Sequence, residues 1–245
     1  MLIKKRYQNY NSVDLYEENG GRIVRKRFKE KFCWENETKT LEILKKHGFP
    51  IPRIIKIDYL ENTYEFIDEP SFNKTLDLQP EKVNILIGLL NSFSNIYSEE
   101  LYRFTNRNER LIKESEKLFD KRKIDLFLFN KLTKLAYSYK PEFLGFTHGD
   151  FRPVNIFGKD DVRAIIDTEF CGIDDPNKDL AYLWIGAVGI NKYFNHYVKE
   201  KFRNLNYFND DLFTFWLAYF HIMVMNNPRT KNSKMWKKNL EQILS

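Results

Sequence analysis

At 245 residues, with 42% hydrophobic and 30% charged side chains, the chain is long enough for one large domain or two modest lobes. A formal net charge of +6 favours anionic ligands, but no Arg-rich stripe interleaved with aromatics marks a nucleic-acid surface. Two cysteines, Cys33 and Cys171, make no disulfide framework and fit a reducing, cytoplasmic setting. The opening MLIKKRYQNY has no apolar core of a signal peptide, and the longest apolar run, Leu212 to Met225, is shorter than the roughly 18 residues of a membrane span.

Leu2 to Gln8, Ser12 to Glu17 and Arg22 to Phe28 read as three antiparallel strands, the last two joined at Gly20-Gly21. Period two puts Val24, Lys26 and Phe28 on one face, with Ile23, Arg25 and Arg27 on the other. A lysine between two apolar neighbours either snorkels at a sheet edge or reaches over a bound anion. Lys26 is the first candidate for that reach and Arg25 the second. A helix follows over Phe32 to His47, stopped by Gly48 with Pro50 beyond. Its apolar stripe of Trp34, Leu41 and Leu44 also contains Glu37. A carboxylate on a buried face needs a partner, and Lys26 is the natural one. Arg53 to Tyr59 and Thr63 to Ile67 are two more strands, turned at Glu61-Asn62. The composition changes at Asp68-Glu69-Pro70, which suggests a boundary between residues 1–68 and 69–245.

Beyond the boundary the pattern is helical: Glu81 to Tyr97 behind Pro80, then Arg107 to Phe119 and Ile124 to Tyr139. Phe146 to Phe170 then departs from that pattern. His148-Gly149-Asp150 is followed by Asn155, five residues after the aspartate; Gly158 to Asp161 turn the chain into an apolar strand, Val162 to Ile166; and that strand delivers Asp167, with Glu169 two residues on. This is the layout that phosphoryl transfer from ATP demands. Mg²⁺ takes hard oxygen ligands, which Asn155 and Asp167 can supply, and Asp150 can aim and deprotonate an acceptor hydroxyl. His148 reads as structural. Arg152 either lies against the transferring phosphoryl oxygens or pairs with a neighbouring carboxylate.

HGDFRPVN followed by IIDTE resembles the aminoglycoside phosphotransferase and choline kinase family, small-molecule kinases with a protein-kinase-like fold. The resemblance spans about residues 8 to 190, is specific from 146 to 184, and departs at Arg152, where the family often carries His. It implies an α+β, two-lobed fold, with a small antiparallel sheet plus one helix binding ATP and a larger helical lobe carrying the catalytic and acceptor groups. It implies ATP and Mg²⁺ as cofactors. It makes Lys26 the phosphate lysine held by Glu37, and it assigns adenine to the hinge backbone from Glu65 to Ile67. The glycine-rich loop of protein kinases is missing; Asn11 and Ser12 either donate to phosphate there or only cap the turn. Asp179, in a Pro-x-x-Asp-Leu-Ala signature, reads as a brace for the catalytic loop.

The partner implied is a small-molecule acceptor, with no nucleic acid and no membrane span. A polycation would want an acidic pocket, for which Asp174, Asp175, Asp210 and Asp211 are available. A quaternary ammonium would want an aromatic cage, for which Tyr182, Trp184, Trp216, Tyr219 and Phe220 are available, although core packing is the plainer use of each. Asp210-Asp211 would cap the apolar helix from Leu212 to Met225, and Lys231 to Ser245 would dock as a basic amphipathic helix. An atypical protein kinase and a nucleotide-binding pseudokinase are the competing readings. The first lacks His-Arg-Asp, Asp-Phe-Gly and Ala-Pro-Glu segments, and the second would not need every catalytic group to be present.

Overall fold

The computed structural model describes residues 2–7, 11–18, 20–75, 80–96, 98–188, 192–228, 230 and 232–245. Strands β1 (Leu2–Tyr7), β2 (Asn11–Glu18) and β3 (Gly21–Phe28) are followed by helix α1 (Lys31–Lys46) and by β4 (Ile54–Asp58) and β5 (Glu61–Glu65). They form one antiparallel sheet in the order β1-β2-β3-β5-β4. Gln8, Asn9 and Tyr10, in the first turn, lie outside the described residues. Helix α1 ends on a glycine: Gly48 has φ +75, its N–H bonds to Lys45 O and that of Phe49 to Leu44 O, each at 3.0 Å.

The β4–β5 turn falls at Tyr59-Leu60 rather than at Glu61-Asn62. Asn62 has turn chemistry but a buried task. It accepts from Trp34 Nε1 at 3.2 Å and donates to Thr38 Oγ1 at 3.1 Å, tying the sheet to α1. Leu60 takes the left-handed position (φ +59) in its place.

The rest of the chain runs α2 (Phe72–Thr75), α3 (Pro80–Phe93), α4 (Arg107–Asp120), α5 (Leu126–Ser138), β6 (Gly145–Thr147), β7 (Ile156–Phe157), β8 (Ala164–Ile165), β9 (Gly172–Asp174), α6 (Asn177–Val188), α7 (Lys192–Arg203), α8 (Asp210–Asn226) and α9 (Ser233–Ile243). The arrangement is the expected two-lobed α+β one: a small sheet lobe with one helix, and a larger helical lobe. The expected strand over Val162 to Ile166 shrinks to Ala164-Ile165, paired with β7 as a short hairpin. Asn209, not Asp210 or Asp211, caps α8, accepting from Asp211 N at 2.9 Å and Leu212 N at 3.0 Å; the two aspartates sit in the first turn, where the helix dipole favours them. The large core is aromatic, with Phe93, Phe146, Phe151, Phe202, Phe215 and Trp216 all almost fully buried. Among the described residues no helix is long and apolar enough to cross a membrane.

Candidate active site

Packing fixes the candidate catalytic loop, His148 to Asn155, from beneath. Phe151 is fully buried, edge-on to Phe93 at 5.8 Å and to the His148 ring at 5.9 Å. With Phe151 pointing in, its neighbours Asp150 and Arg152 are left nearer the surface. Asp179, in the first turn of α6, accepts from the backbone N–H of His148 (2.6 Å) and of Gly149 (2.9 Å). Burial pushes the Asp179 carboxyl up to about 7, against Lys178 and those two donors. Gly149 has φ +82, and a β-carbon there would stand 2.1 Å from Phe170 O, so no side chain fits. His148 donates from Nε2 to Ile166 O at 3.0 Å and accepts from Asp150 N at Nδ1 at 3.3 Å. Burial holds its imidazole down to about 4, so it is neutral and joins the catalytic loop to the strand end before Asp167.

Asn155 donates from Nδ2 to Asp150 O (2.9 Å) and to Asp150 Oδ2 (3.1 Å), leaving its carbonyl oxygen, the end a cation takes, outside those bonds. The β7–β8 hairpin sets Asn155 alongside Asp167, since Ile166 N bonds to Asn155 O at 3.0 Å. Arg152 forks Asp150, with Nε 2.6 Å from Oδ1 and Nη2 2.5 Å from Oδ2. Of the two uses open to this arginine, the structure shows the carboxylate pair.

Across the cleft, Lys26 is 4% exposed and reaches three carboxylates: Glu37 at 2.6 Å, Glu169 at 2.7 Å and Asp167 at 2.9 Å. Burial alone would lower its pKa, but the three carboxylates hold it well above the usual lysine value. Asp167, with φ +59, sits at the head of a single 3-10 turn; its burial is outweighed by Lys26, and its carboxyl lies below the usual range. Burial raises Glu37, and it raises Glu169 to about 7, in both cases against the pull of Lys26. Oxygens of Glu37, Asp167 and Glu169 lie within 4.8 Å of one another, but the Lys26 ammonium already fills their centre, so the trio is a lysine cradle rather than a cation site. Arg25 lies on the other face of β3, pairs with Glu18 at 3.1 Å and covers the Tyr16 ring.

Asn11 shares the Lys26 face of the sheet and is buried, but its amide donates to Glu169 Oε2 at 2.6 Å. Ser12 is the next residue of β2, and alternation turns its side chain to the opposite face; the structure does not bring it to Lys26. A cleft of about 290 Å³ opens beside Lys26, walled by Val13, Leu15, Val24, Phe157 and Ile166 and reaching Glu65, Phe66 and Ile67. At that edge the Phe66 N–H is taken by Arg22 O at 3.1 Å, and the Glu65 side chain pairs outward with Arg53 at 2.8 Å.

The residues suggested for an acceptor pocket have other work. Asp174 is buried between Arg107 (2.6 Å) and Lys178 (3.1 Å). Asp175 accepts from Trp216 Nε1 at 2.7 Å and from Asn177 Nδ2 at 2.8 Å. Asp210 pairs with Lys199 at 2.9 Å. Trp216, Tyr219 and Phe220 are buried core, with Tyr182 packed on Phe220 at 3.7 Å and Trp184 on Phe213 at 5.9 Å, so they leave no open cage. Two supporting residues went unnoticed in the sequence. Tyr64 donates to Glu37 Oε1 at 2.5 Å, and Asn36 Nδ2 donates to Glu169 O (2.9 Å) and Cys171 O (2.8 Å), binding α1 to the Asp167 turn. A polar residue beside Glu37 on the buried stripe of α1 was the available signal for Asn36.

Residues 87–205 match the model of the phosphotransferase enzyme family, a stretch that holds Asp150, Asn155 and Asp167 but stops short of Lys26 and Glu37. No curated protein matches the chain in sequence. Among solved structures, a choline/ethanolamine kinase family protein from Mesorhizobium loti superposes with a TM-score of 0.73 at 13% identity, covering 100% of this chain and 88% of that one. A spectinomycin phosphotransferase in complex with ADP and spectinomycin gives 0.70 at 13% identity, covering 99% and 88%. An amicoumacin kinase in complex with AMP-PNP and Ca²⁺ gives 0.70 at 14% identity, covering 98% and 86%. At such identities these likenesses speak for the fold, and the family match adds the catalytic stretch. Residues 87–205 thus resemble the phosphotransferase enzyme family, and the chain as a whole has the fold of the spectinomycin phosphotransferase and of the choline/ethanolamine kinase family protein.

Proposed function

We propose that this chain transfers the γ-phosphoryl group of ATP to a hydroxyl of a small molecule, with residues 1–68 forming the nucleotide lobe and 69–245 the catalytic and acceptor lobe. The observation that carries the reading is that Lys26, held by Glu37, meets Asp167 across the cleft, while Asp167 lies alongside Asn155, which is itself hydrogen-bonded to Asp150. Adenine would lie between the apolar walls, against the backbone of Glu65 and Ile67. Lys26 steadies the phosphates, and Glu37, itself fixed by Tyr64, aims Lys26. The donor set suits Mg²⁺, a carboxylate and an amide carbonyl both being hard oxygen ligands: Asp167 and Asn155 would hold it. When bound, the ion offsets negative charge on the phosphates.

Asp150 orients the acceptor hydroxyl and takes its proton. The acceptor oxygen forms a bond to the γ-phosphorus as the bond from that phosphorus to the β–γ bridging oxygen breaks, and ADP leaves with the bridging electron pair. Asn11 supports the site through Glu169 rather than by touching phosphate itself.

Spectinomycin, bound by one structural neighbour, and the naming of another as an amicoumacin kinase make an amino sugar or amino alcohol the first acceptor to try. The commitment of Asp174 and Asp175 inside the fold gives equal standing to a neutral sugar. The test is a screen with labelled ATP against amino sugars, choline-type alcohols, sugars and a peptide mixture, with ATP hydrolysis subtracted. Label on a small alcohol supports the reading; label on peptides alone would favour the protein kinase alternative, and no transfer with intact nucleotide binding would favour a pseudokinase.

A further inference from the structure

The pair formed by Asp150 and Arg152 is at odds with the task given to Asp150. Both carboxylate oxygens are engaged by one guanidinium, and Asn155 adds a third donor to Oδ2. A carboxylate held this way is a weak acceptor for an incoming hydroxyl. The arginine that holds it is not itself locked in place: its side chain is 45% exposed, while that of Asp150 is 17% exposed. Its stem runs beside Gly186 of α6, and its head is within electrostatic reach of Asp167 as well as Asp150. The guanidinium is therefore paired with the base and also feels Asp167, the residue beside which the phosphates would end. A terminal phosphoryl group carries more charge than a carboxylate and offers the same fork of oxygens.

Resting on the kinase reading above, we propose that Arg152 is a positioning latch: it closes on Asp150 when no γ-phosphoryl group is present and moves onto that group when ATP binds. The base is then uncovered only when there is a phosphoryl group to transfer. Any acceptor that enters with ADP meets a covered carboxylate.

The test compares dissociation constants for Mg·AMP-PNP and Mg·ADP, by calorimetry, in the full-length wild type, Arg152→Gln, Asp150→Asn and the double variant. Arg152→Gln should weaken Mg·AMP-PNP by about tenfold and leave Mg·ADP unchanged, since the lost contact is a charge-assisted one. Asp150→Asn should tighten Mg·AMP-PNP, because the arginine no longer has a competing anion, and the gain should vanish in the double variant. Equal effects of Arg152→Gln on both nucleotides, or no effect on either, would overturn the latch. So would a gain from Asp150→Asn that persists without Arg152, which is plain charge removal. If the wild type binds neither nucleotide, the kinase reading fails first and takes the latch with it.

Discussion

At the scale of single residues, the site separates groups that would touch substrate from groups that hold them. On the proposed mechanism Asp150 belongs to the first kind. Asp150→Asn keeps the shape of the side chain but removes the proton acceptor, and turnover should fall by about 10²- to 10⁴-fold while nucleotide still binds. Near-normal turnover would remove Asp150 from the mechanism. His148 belongs to the second kind. Burial keeps its imidazole neutral down to about 4, below the ordinary value of about 6.5, and both ring nitrogens are in use. Its neutral form therefore contributes stability above about pH 6.5 that is lost as pH falls toward 4. Nitrogen-15 spectra of the ring should show no titration between pH 7.5 and 5; a midpoint near 6.5 would mean the ring is solvated. The two buried polar contacts on Glu37, Lys26 and Tyr64, differ in how readable they were. Lys26 and Glu37 stood out as charges on apolar faces, whereas Tyr64 is a common strand residue whose hydroxyl partner depends on how α1 crosses the sheet.

At the scale of elements, the catalytic loop is held by α6 more than by its own backbone. Asp179 supplies both partners of the His148 and Gly149 N–H groups, and Asp179→Ala would leave two buried donors unpaired. The expected loss is about 2–4 kcal/mol of unfolding free energy, read from urea denaturation; a loss under about 0.5 kcal/mol would show that water replaces the carboxylate. Gly149→Ala should be similarly damaging, since its β-carbon would overlap Phe170 O.

The brace was legible because Asp179 falls in the first turn after Pro176. The strand register was only partly legible. Period two placed Lys26 on the face of Val24 and Phe28, but Asn11 and Ser12 read as turn residues, and as the first two residues of β2 they fall on opposite faces of the sheet. The short pairs β6–β9 and β7–β8 carry too few residues for any periodicity to show.

At the scale of the whole molecule, what escaped the sequence is what long-range packing decides. Asp174 looked available for an acceptor until α4, 67 residues away, delivered Arg107 to it. The aromatic residues of α6 and α8 looked equally suited to a cage or a core, and their mutual packing makes them core. The two lobes, by contrast, are joined by charge across the cleft: Lys26 and Asn11 from the sheet meet Asp167 and Glu169 from the helical lobe. Lys26→Ala would strand three partly buried carboxylates and should cost about 3–5 kcal/mol in addition to weakening nucleotide binding. A variant as stable as wild type by thermal melting would show that the cradle carries no such strain.

The central claim is that Asp167 and Asn155 form a cation site that serves the phosphates of ATP. Calorimetric titration of AMP-PNP with and without Mg²⁺, in wild type and in Asp167→Ala, tests it directly. The account predicts that Mg²⁺ tightens wild-type binding by about tenfold or more and does nothing for Asp167→Ala. An equal Mg²⁺ effect in both proteins would contradict it.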